Sequence, residues 1–235
     1  AAGYLLPGTC QFRNQRHLRA LMVACVRCGV EIRSAQRVGE ILRSGRRVTG
    51  VVTETDRFAA DNVLVTAGAW TPRLLAPLAA ARAIEPVRGQ MVLLSTLAPV
   101  LSHVVECGPR YLVPRPDGLI LVGSTEERAG FEKRNTPAGL AGLMNFAVRM
   151  IPALAEARFV QAWSGLRPHP KSGLPLIGRL PDLENLYVAA GHFRAGLHLS
   201  PITARLMTQL ITGEPTALNL APFAPGSIER SGIHH

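Results

Sequence analysis

Lysine is almost missing from this chain: of 26 basic residues in 235, only Lys133 and Lys171 are lysines and the other 24 are arginines. The net charge is +10. A nucleic-acid surface clusters its charge, yet Arg46-Arg47 is the only adjacent arginine pair. The scattered pattern reads as a compositional preference with solvated guanidiniums, and no nucleic-acid partner is expected. No apolar run reaches the length of a membrane span. The opening AAGYLLPG lacks the charged start and long apolar stretch of a secretory signal. Cysteine is sparse as well, at Cys10, Cys25, Cys28 and Cys107. Cys25-x-x-Cys28 falls late in a predicted helix, whereas a redox pair of that spacing opens one, and no second pair completes a zinc site. Four free thiols point to a reducing cytoplasm.

Several catalytic signatures are missing too. There is no G-x-x-x-x-G-K-[ST] loop and no G-x-S-x-G elbow. None of the seven histidines (His17, His103, His169, His192, His198, His234, His235) has the i, i+4 partner of a helical metal pair, so no metal site is expected. Glu126-Glu127, the paired carboxylates, precede a basic loop and read as a solvated turn.

What is present is enough for a substantial core: 47% of the residues are hydrophobic, which suits one large domain or two small ones. From Asn14 the spacing of Leu18, Leu21, Met22, Cys25 and Val26 predicts an amphipathic helix, capped by Asn14, ended by Gly29 and packed on a neighbour. Residues 30–33, 38–42, 48–53 and 57–60 read as short strands of an antiparallel meander, with Ser44-Gly45-Arg46 as its clearest turn. A buried strand at 62–65 runs into Thr66-Ala67-Gly68-Ala69-Trp70, and Thr71-Pro72 opens a helix. Longer strands follow at 86–96, 100–107, 110–114 and 119–123, the last two joined by the hairpin signal Pro116-Asp117-Gly118. A helix at 136–150 closed by Pro152 and a strand at 159–163 complete a mostly antiparallel region.

The chemistry converges on residues 163–213. Leu186 to Ala190 suits a buried strand ending in a sharp turn at Gly191. Ser200 reads as an N-cap and Pro201 as the first residue of a helix whose face carries Ile202, Leu206 and Leu210 and which Gly213 ends. Strand, glycine-bracketed turn and helix aim backbone N–H groups and a positive dipole end at one point. Arg194 lies in that turn and Arg167 just upstream, and two fixed cations there suit a carboxylate.

Gly165-Leu166-Arg167-Pro168, Gly173-Leu174-Pro175-Leu176-Ile177-Gly178 and Ala190-Gly191-His192-Phe193-Arg194-x-Gly196 together resemble the C-terminal signature of the FAD-dependent D-amino-acid oxidase superfamily, most of all the glycine oxidases of thiamine biosynthesis. Ala195 departs from the asparagine expected in this loop. The resemblance implies that Arg167 binds the substrate carboxylate, with Arg194 as a second partner, and that Tyr111 points into the substrate pocket. It also implies that Val38, Gly68, His192, Phe193, Arg194, Ala195, Gly196, Leu197 and His198 lie against FAD. Read as plain structure, Tyr111 is a strand aromatic packing on its neighbours and Gly68 serves an ordinary turn.

The superfamily opens with a βαβ unit carrying G-x-G-x-x-G, which holds the FAD pyrophosphate. This chain has none. We therefore expect a fragment of mixed α/β (α+β) class. Residues 1–83 and 160–235 would form a partial Rossmann-like FAD-binding domain lacking its first βαβ unit, and residues 84–159 an antiparallel-sheet substrate domain. The implied activity is oxidation of the amine of glycine or a small D-amino acid: the Cα hydrogen leaves as hydride, the imino acid hydrolyses, and oxygen is reduced to hydrogen peroxide. A dehydrogenase for D-amino acids, sarcosine or proline, an inactive fragment, and a basic binding module remain as alternatives, and a homo-oligomer is left open.

Overall fold

A computed structural model describes residues 3–8, 10–76 and 84–226; His234, His235 and the ends of the expected 1–83 and 160–235 segments lie outside these. In chain order the elements are α1 (Asn14–Arg27), β1 (Val38–Ser44), β2 (Arg47–Thr53), β3 (Arg57–Ala59), β4 (Val63–Val65), α2 (Thr71–Leu75) and β5 (Ile84–Ser95). There follow β6 (Val105–Cys107), β7 (Arg110–Pro114), β8 (Leu119–Gly123), α3 (Pro137–Met150), β9 (Arg158–Pro170), β10 (Leu176–Arg179), β11 (Leu186–Ala190) and α4 (Gly196–Thr212). The strands form sheets β1-β2-β3, β10-β11-β4 and β6-β7-β8-β5-β9. By backbone proximity the chain divides into two units, one of Ala1–Ser34, Gln90–Thr125 and Asn135–Trp163, the other of Ala35–Gly89, Glu126–Arg134 and Ser164–His235.

In the second unit, β11 is apolar on both faces because both are covered. Leu186, Val188 and Ala190 join Val48, Val65 and Leu75 in one core. Tyr187, on the opposite side, meets Ile177 and Met207 of α4. The parallel pairing of β11 with β4 (Leu186↔Val63, Val188↔Val65) closes this sheet. Asn185, 3% exposed, ties the meander to it. Its Oδ1 accepts from Val48 N at 2.8 Å, and its Nδ2 donates to Val48 O at 2.8 Å and Asp61 O at 2.6 Å. A buried amide with three partners loses little to desolvation.

In the first unit, Leu143, Phe146 and Ala147 share one face of α3 and pack on Val92, Leu112 and Val122. Those three strand residues lie in one cross-strand row. The adjacent row, Met91, Gly123 and Tyr111, points to the other face of the sheet. Gln90, fully buried, fastens the start of α3: its Oε1 accepts from Thr136 N at 2.7 Å and its Nε2 donates to Thr136 Oγ1 at 3.0 Å.

Several expectations are corrected. The N-cap of α1 is Arg13, whose side chain makes no capping hydrogen bond, and no residue of α1 is buried, so its apolar face has no covering neighbour among the described residues. Residues 30–33 have no ladder partner and form no strand. Of residues 100–107 only Val105–Cys107 is strand. Strand β10 forms where only a proline-flanked motif was noticed. Helix α4 opens at Gly196, not Pro201. The carbonyl of Leu197, which Pro201 cannot serve because it lacks an N–H, accepts instead from Ser200 Oγ at 2.8 Å.

Candidate functional site

The loop from Gly191 to Gly196 is shaped by backbone constraint. Gly191 has φ +82°, a left-handed backbone that favours glycine, and a Cβ there would lie in ordinary contact with Ile84 and Pro170. Phe193 has φ +49°, an uncommon value for a bulky residue. The strained turn is held from three sides: Phe193 N donates to Pro168 O at 3.1 Å, Ala195 N donates to His192 O at 2.9 Å, and the Phe193 ring meets His169 edge-on, centroids 4.8 Å apart. The first of these bonds fastens the loop directly to the segment that carries Arg167.

Arg167 lies on β9, partly buried. Its guanidinium fills the space a side chain at Gly89 would take. The neighbouring Arg88 is 5% exposed and pairs with Glu127, Nε to Oε2 at 3.2 Å. Two backbone hydrogen bonds between the same residues, at 2.8 and 2.9 Å, reinforce the pair. Arg194 forms an ion pair with Glu126 and stands 5.6 Å over the Phe193 ring. Glu126 is exposed, as expected of a solvated turn, while Glu127 is partly buried, and each pairs with an arginine. The rest of their segment is anchored too: Arg128 pairs with Glu85, and the Phe131 ring lies 3.6 Å beneath the Arg73 guanidinium and 6.2 Å from Trp70.

His192 shares a 3.0 Å hydrogen bond with Thr203 Oγ1 on α4. Burial pushes its imidazole below the ordinary histidine value, so the ring is neutral at pH 7. His169 Nδ1 lies 3.4 Å from Glu85 Oε1 without hydrogen-bonding geometry. His192, Phe193, Ala195, His169 and Thr203 border a largely apolar cavity of about 400 Å³. Leu197 faces inward in part, while His198 is exposed.

Val38 lies elsewhere in the same unit, on a cavity of about 930 Å³ shared with Val65, Thr66, Ala67, Trp70 and Arg73. Gly68 follows with φ +54° and open space at its Cβ position. Tyr111 belongs to the other unit, where its ring lies across Gly123, its cross-strand partner. Gly89 and Thr203 were not singled out from the sequence, and Glu126 was read there only as part of a turn. Their partners are 68 or more residues away for Gly89 and Glu126, and no local spacing encodes such contacts.

The sequence model of the FAD dependent oxidoreductase family DAO matches residues 1–210. The chain belongs to this family. Glycine oxidase of Pseudomonas aeruginosa is 38% identical over 221 residues, covering 94% of this chain and 61% of that protein. The hydrogen cyanide synthase subunit HcnC of the same organism is 36% identical over 207 residues, covering 87% and 49%. Among solved structures, glycine oxidase from Geobacillus kaustophilus matches with a TM-score of 0.83 at 33% identity, covering 88% of this chain and 56% of that one. The chain spans about three fifths of the length of the curated glycine oxidase from P. aeruginosa.

FAD is the cofactor of the DAO family. The residues here fit its ring better than its pyrophosphate. Helix α4 begins with no side-chain cap and no acidic residue in its first turn, so no side chain of its own first turn offsets its positive end. The lining of the large cavity includes the small residues Thr66 and Ala67. A glycine motif for the pyrophosphate is not in the sequence. Among the described residues no helix is long and apolar enough to cross a membrane.

Proposed function

We propose that this chain carries the substrate-anchoring part of an FAD-dependent amine oxidoreductase that oxidises glycine or a small amino acid. The observation that carries this reading is the 3.1 Å bond from Phe193 N to Pro168 O, which joins the uncapped start of α4 to the Arg167 segment. Arg167 then holds the substrate α-carboxylate in the bidentate geometry that a guanidinium allows. Arg194 is its second, less committed partner. Tyr111 is assigned as a pocket tyrosine on the family resemblance, and residues 84–159 as the substrate domain.

Bound FAD would supply the two-electron acceptor for the substrate Cα–H hydride, with oxygen reoxidising it to give hydrogen peroxide. Val38, Gly68 and residues 192–198 would hold it. The α4 N-terminus would offer roughly half a positive charge to an electron-rich part of the cofactor. Neutral His192 positions the loop without adding charge. Exposed Cys10, Cys28 and Cys107 and partly buried Cys25 are all free thiols, which supports a cytoplasmic setting.

The test uses a flavin-loaded protein that includes these residues. Arg167→Ala should lower kcat/KM for glycine by the equivalent of about 1.5 to 3 kcal/mol, the size of a charged hydrogen bond, and Arg167→Lys should recover only part of it. Unchanged kcat/KM in the alanine variant would remove the anchor. Oxygen consumption during turnover distinguishes an oxidase from a dehydrogenase that uses another acceptor.

A further inference from the structure

We propose that Cys25 and Cys28, at the end of α1, form a redox modification site: a dithiol that hydrogen peroxide oxidises to a disulfide, with exposed Cys28 attacking the oxidant and half-buried Cys25 closing the bond. No residue of the proposed anchor takes part, and the proposed activity enters only as a source of peroxide.

The backbone sets the pair up. Helix α1 ends in a Schellman arrangement: Gly29 takes φ +79°, Gly29 N donates to Val26 O at 3.0 Å, and Val30 N donates to Cys25 O at 3.0 Å. Cys28 N donates to the same Cys25 carbonyl at 3.1 Å. A turn closed from residue i+3 back to residue i holds the two Cα atoms within about 7 Å, and a disulfide spans Cα atoms about 4.4 to 6.8 Å apart. Residues three apart on a helix also share a face. Cys28 is the C-cap, with φ −86° and ψ 10°, so the small closure that the bond requires falls where the helix already ends. Cys10 and Cys107 are free and exposed as well, but each lies in a segment with no second cysteine.

The chemistry balances within the pair. The Cys28 sulfur attacks one peroxide oxygen, an S–O bond forms as O–O breaks, and the departing hydroxide takes up the thiol proton and leaves as water. Cys25 then attacks the sulfenic sulfur, S–S forms as S–O breaks, and a second water leaves. Two thiols together lose two electrons, and one peroxide is reduced to two waters. Closing a loop of so few residues adds little stability, so the bond is poorly suited to be a structural staple. A pair that opens a helix has its reduced form favoured by the dipole and hands its disulfide on to other proteins, whereas this pair closes a helix and receives no such help. Its disulfide stays where it forms until an external thiol reduces it.

For the test, the reduced 235-residue chain is treated with hydrogen peroxide, alkylated and digested with trypsin. Free thiols should fall from four to two and stop there. Cleavage after Arg19, Arg27 and Arg33 puts the two cysteines on separate peptides, so the bond should appear as Ala20–Arg27 joined to Cys28–Arg33, lighter by two hydrogens than their sum. Dithiothreitol should restore all four thiols. Cys25→Ser should leave Cys28 as a sulfenic acid that dimedone traps, an adduct nearly absent from the wild type, and Cys28→Ser should leave Cys25 reacting no faster than Cys10. Over-oxidation of Cys28 with no bond to Cys25, links to Cys10 or Cys107 formed as readily, or Cys25 reacting first would each overturn the proposal. Because peroxide is added directly, failure here leaves the amine oxidation untouched. Conversely, amine turnover without peroxide release would remove that reading's oxidase step and leave the dithiol site standing.

Discussion

Gly89 leaves open the space that the Arg167 guanidinium fills, so a single methyl group at this position acts directly on the proposed anchor. Gly89→Ala should introduce about 1 to 3 kcal/mol of overpacking. In a flavin-loaded protein this should appear chiefly as a higher KM for the amine, because carboxylate binding is common to ground and transition states. A lowered kcat with unchanged KM would place Arg167 in another role. His192 offers a second test at this scale. Burial depresses its pKa, so the folded chain binds this proton less readily than the unfolded chain. The stability of the neutral, Thr203-bonded ring is complete above about pH 6.5, the ordinary histidine value, and is lost as pH falls through the depressed value. Melting temperature should therefore drop more steeply on the acid side for the wild type than for His192→Gln. Parallel curves would show that the ring titrates normally.

At the level of elements, the legible parts were those whose signals are local. The meander, the Pro116-Asp117-Gly118 hairpin and β11 announce themselves through alternation, turn residues and short apolar runs. Helix α4 was legible as a helix but not in its start, because Ser200-Pro201 mimics a helix opening while the hydroxyl in fact repairs the carbonyl that proline leaves bare. Strand β10 escaped notice since its flanking prolines and glycine argue for a loop, and its pairing with β11 is the only thing that overrides them. The arginine cluster of the site followed the same rule: Arg167 and Arg194 stood out by motif, but Glu126 and Gly89 depend on contacts between distant segments. Helix α3 supplies the test here. Thr136 caps it by accepting from Gly139 N at 3.2 Å and is held in turn by Gln90. Thr136→Val should cost about 1 to 2 kcal/mol in chemical denaturation, and a neutral result would mean the Gln90 amide alone fixes the helix start.

For the molecule as a whole, the balance between what is covered and what is open predicts how the isolated chain behaves. Leu18, Met22 and Val26 of α1 are each more than half exposed, and the large cavity at Val38 is bordered by a less exposed but still open apolar strand residue, Leu64 at 39%. The 235-residue chain should bind a hydrophobic dye such as ANS and, without a pyrophosphate-binding glycine motif, purify colourless. A stoichiometric flavin absorbance band in the purified chain would refute this, and would mean that residues 192–198 and the meander retain FAD unaided.

The parallel pairing of β4 with β11 also sets a timetable for synthesis. Val63–Val65 emerges from the ribosome more than a hundred residues before Leu186, its partner in the ladder, and Val48 waits just as long for the Asn185 amide. At translation rates of about 5 to 20 residues per second, β4 and the Val48 backbone wait roughly 6 to 27 seconds for these partners while the intervening β7–β8 hairpin and α3, whose contacts are nearer in sequence, have time to assemble. The second unit's sheet is begun before the β7–β8 hairpin and finished after it, so arrest of translation before residue 186 should leave β4 open to protease while the intervening segment is already protected.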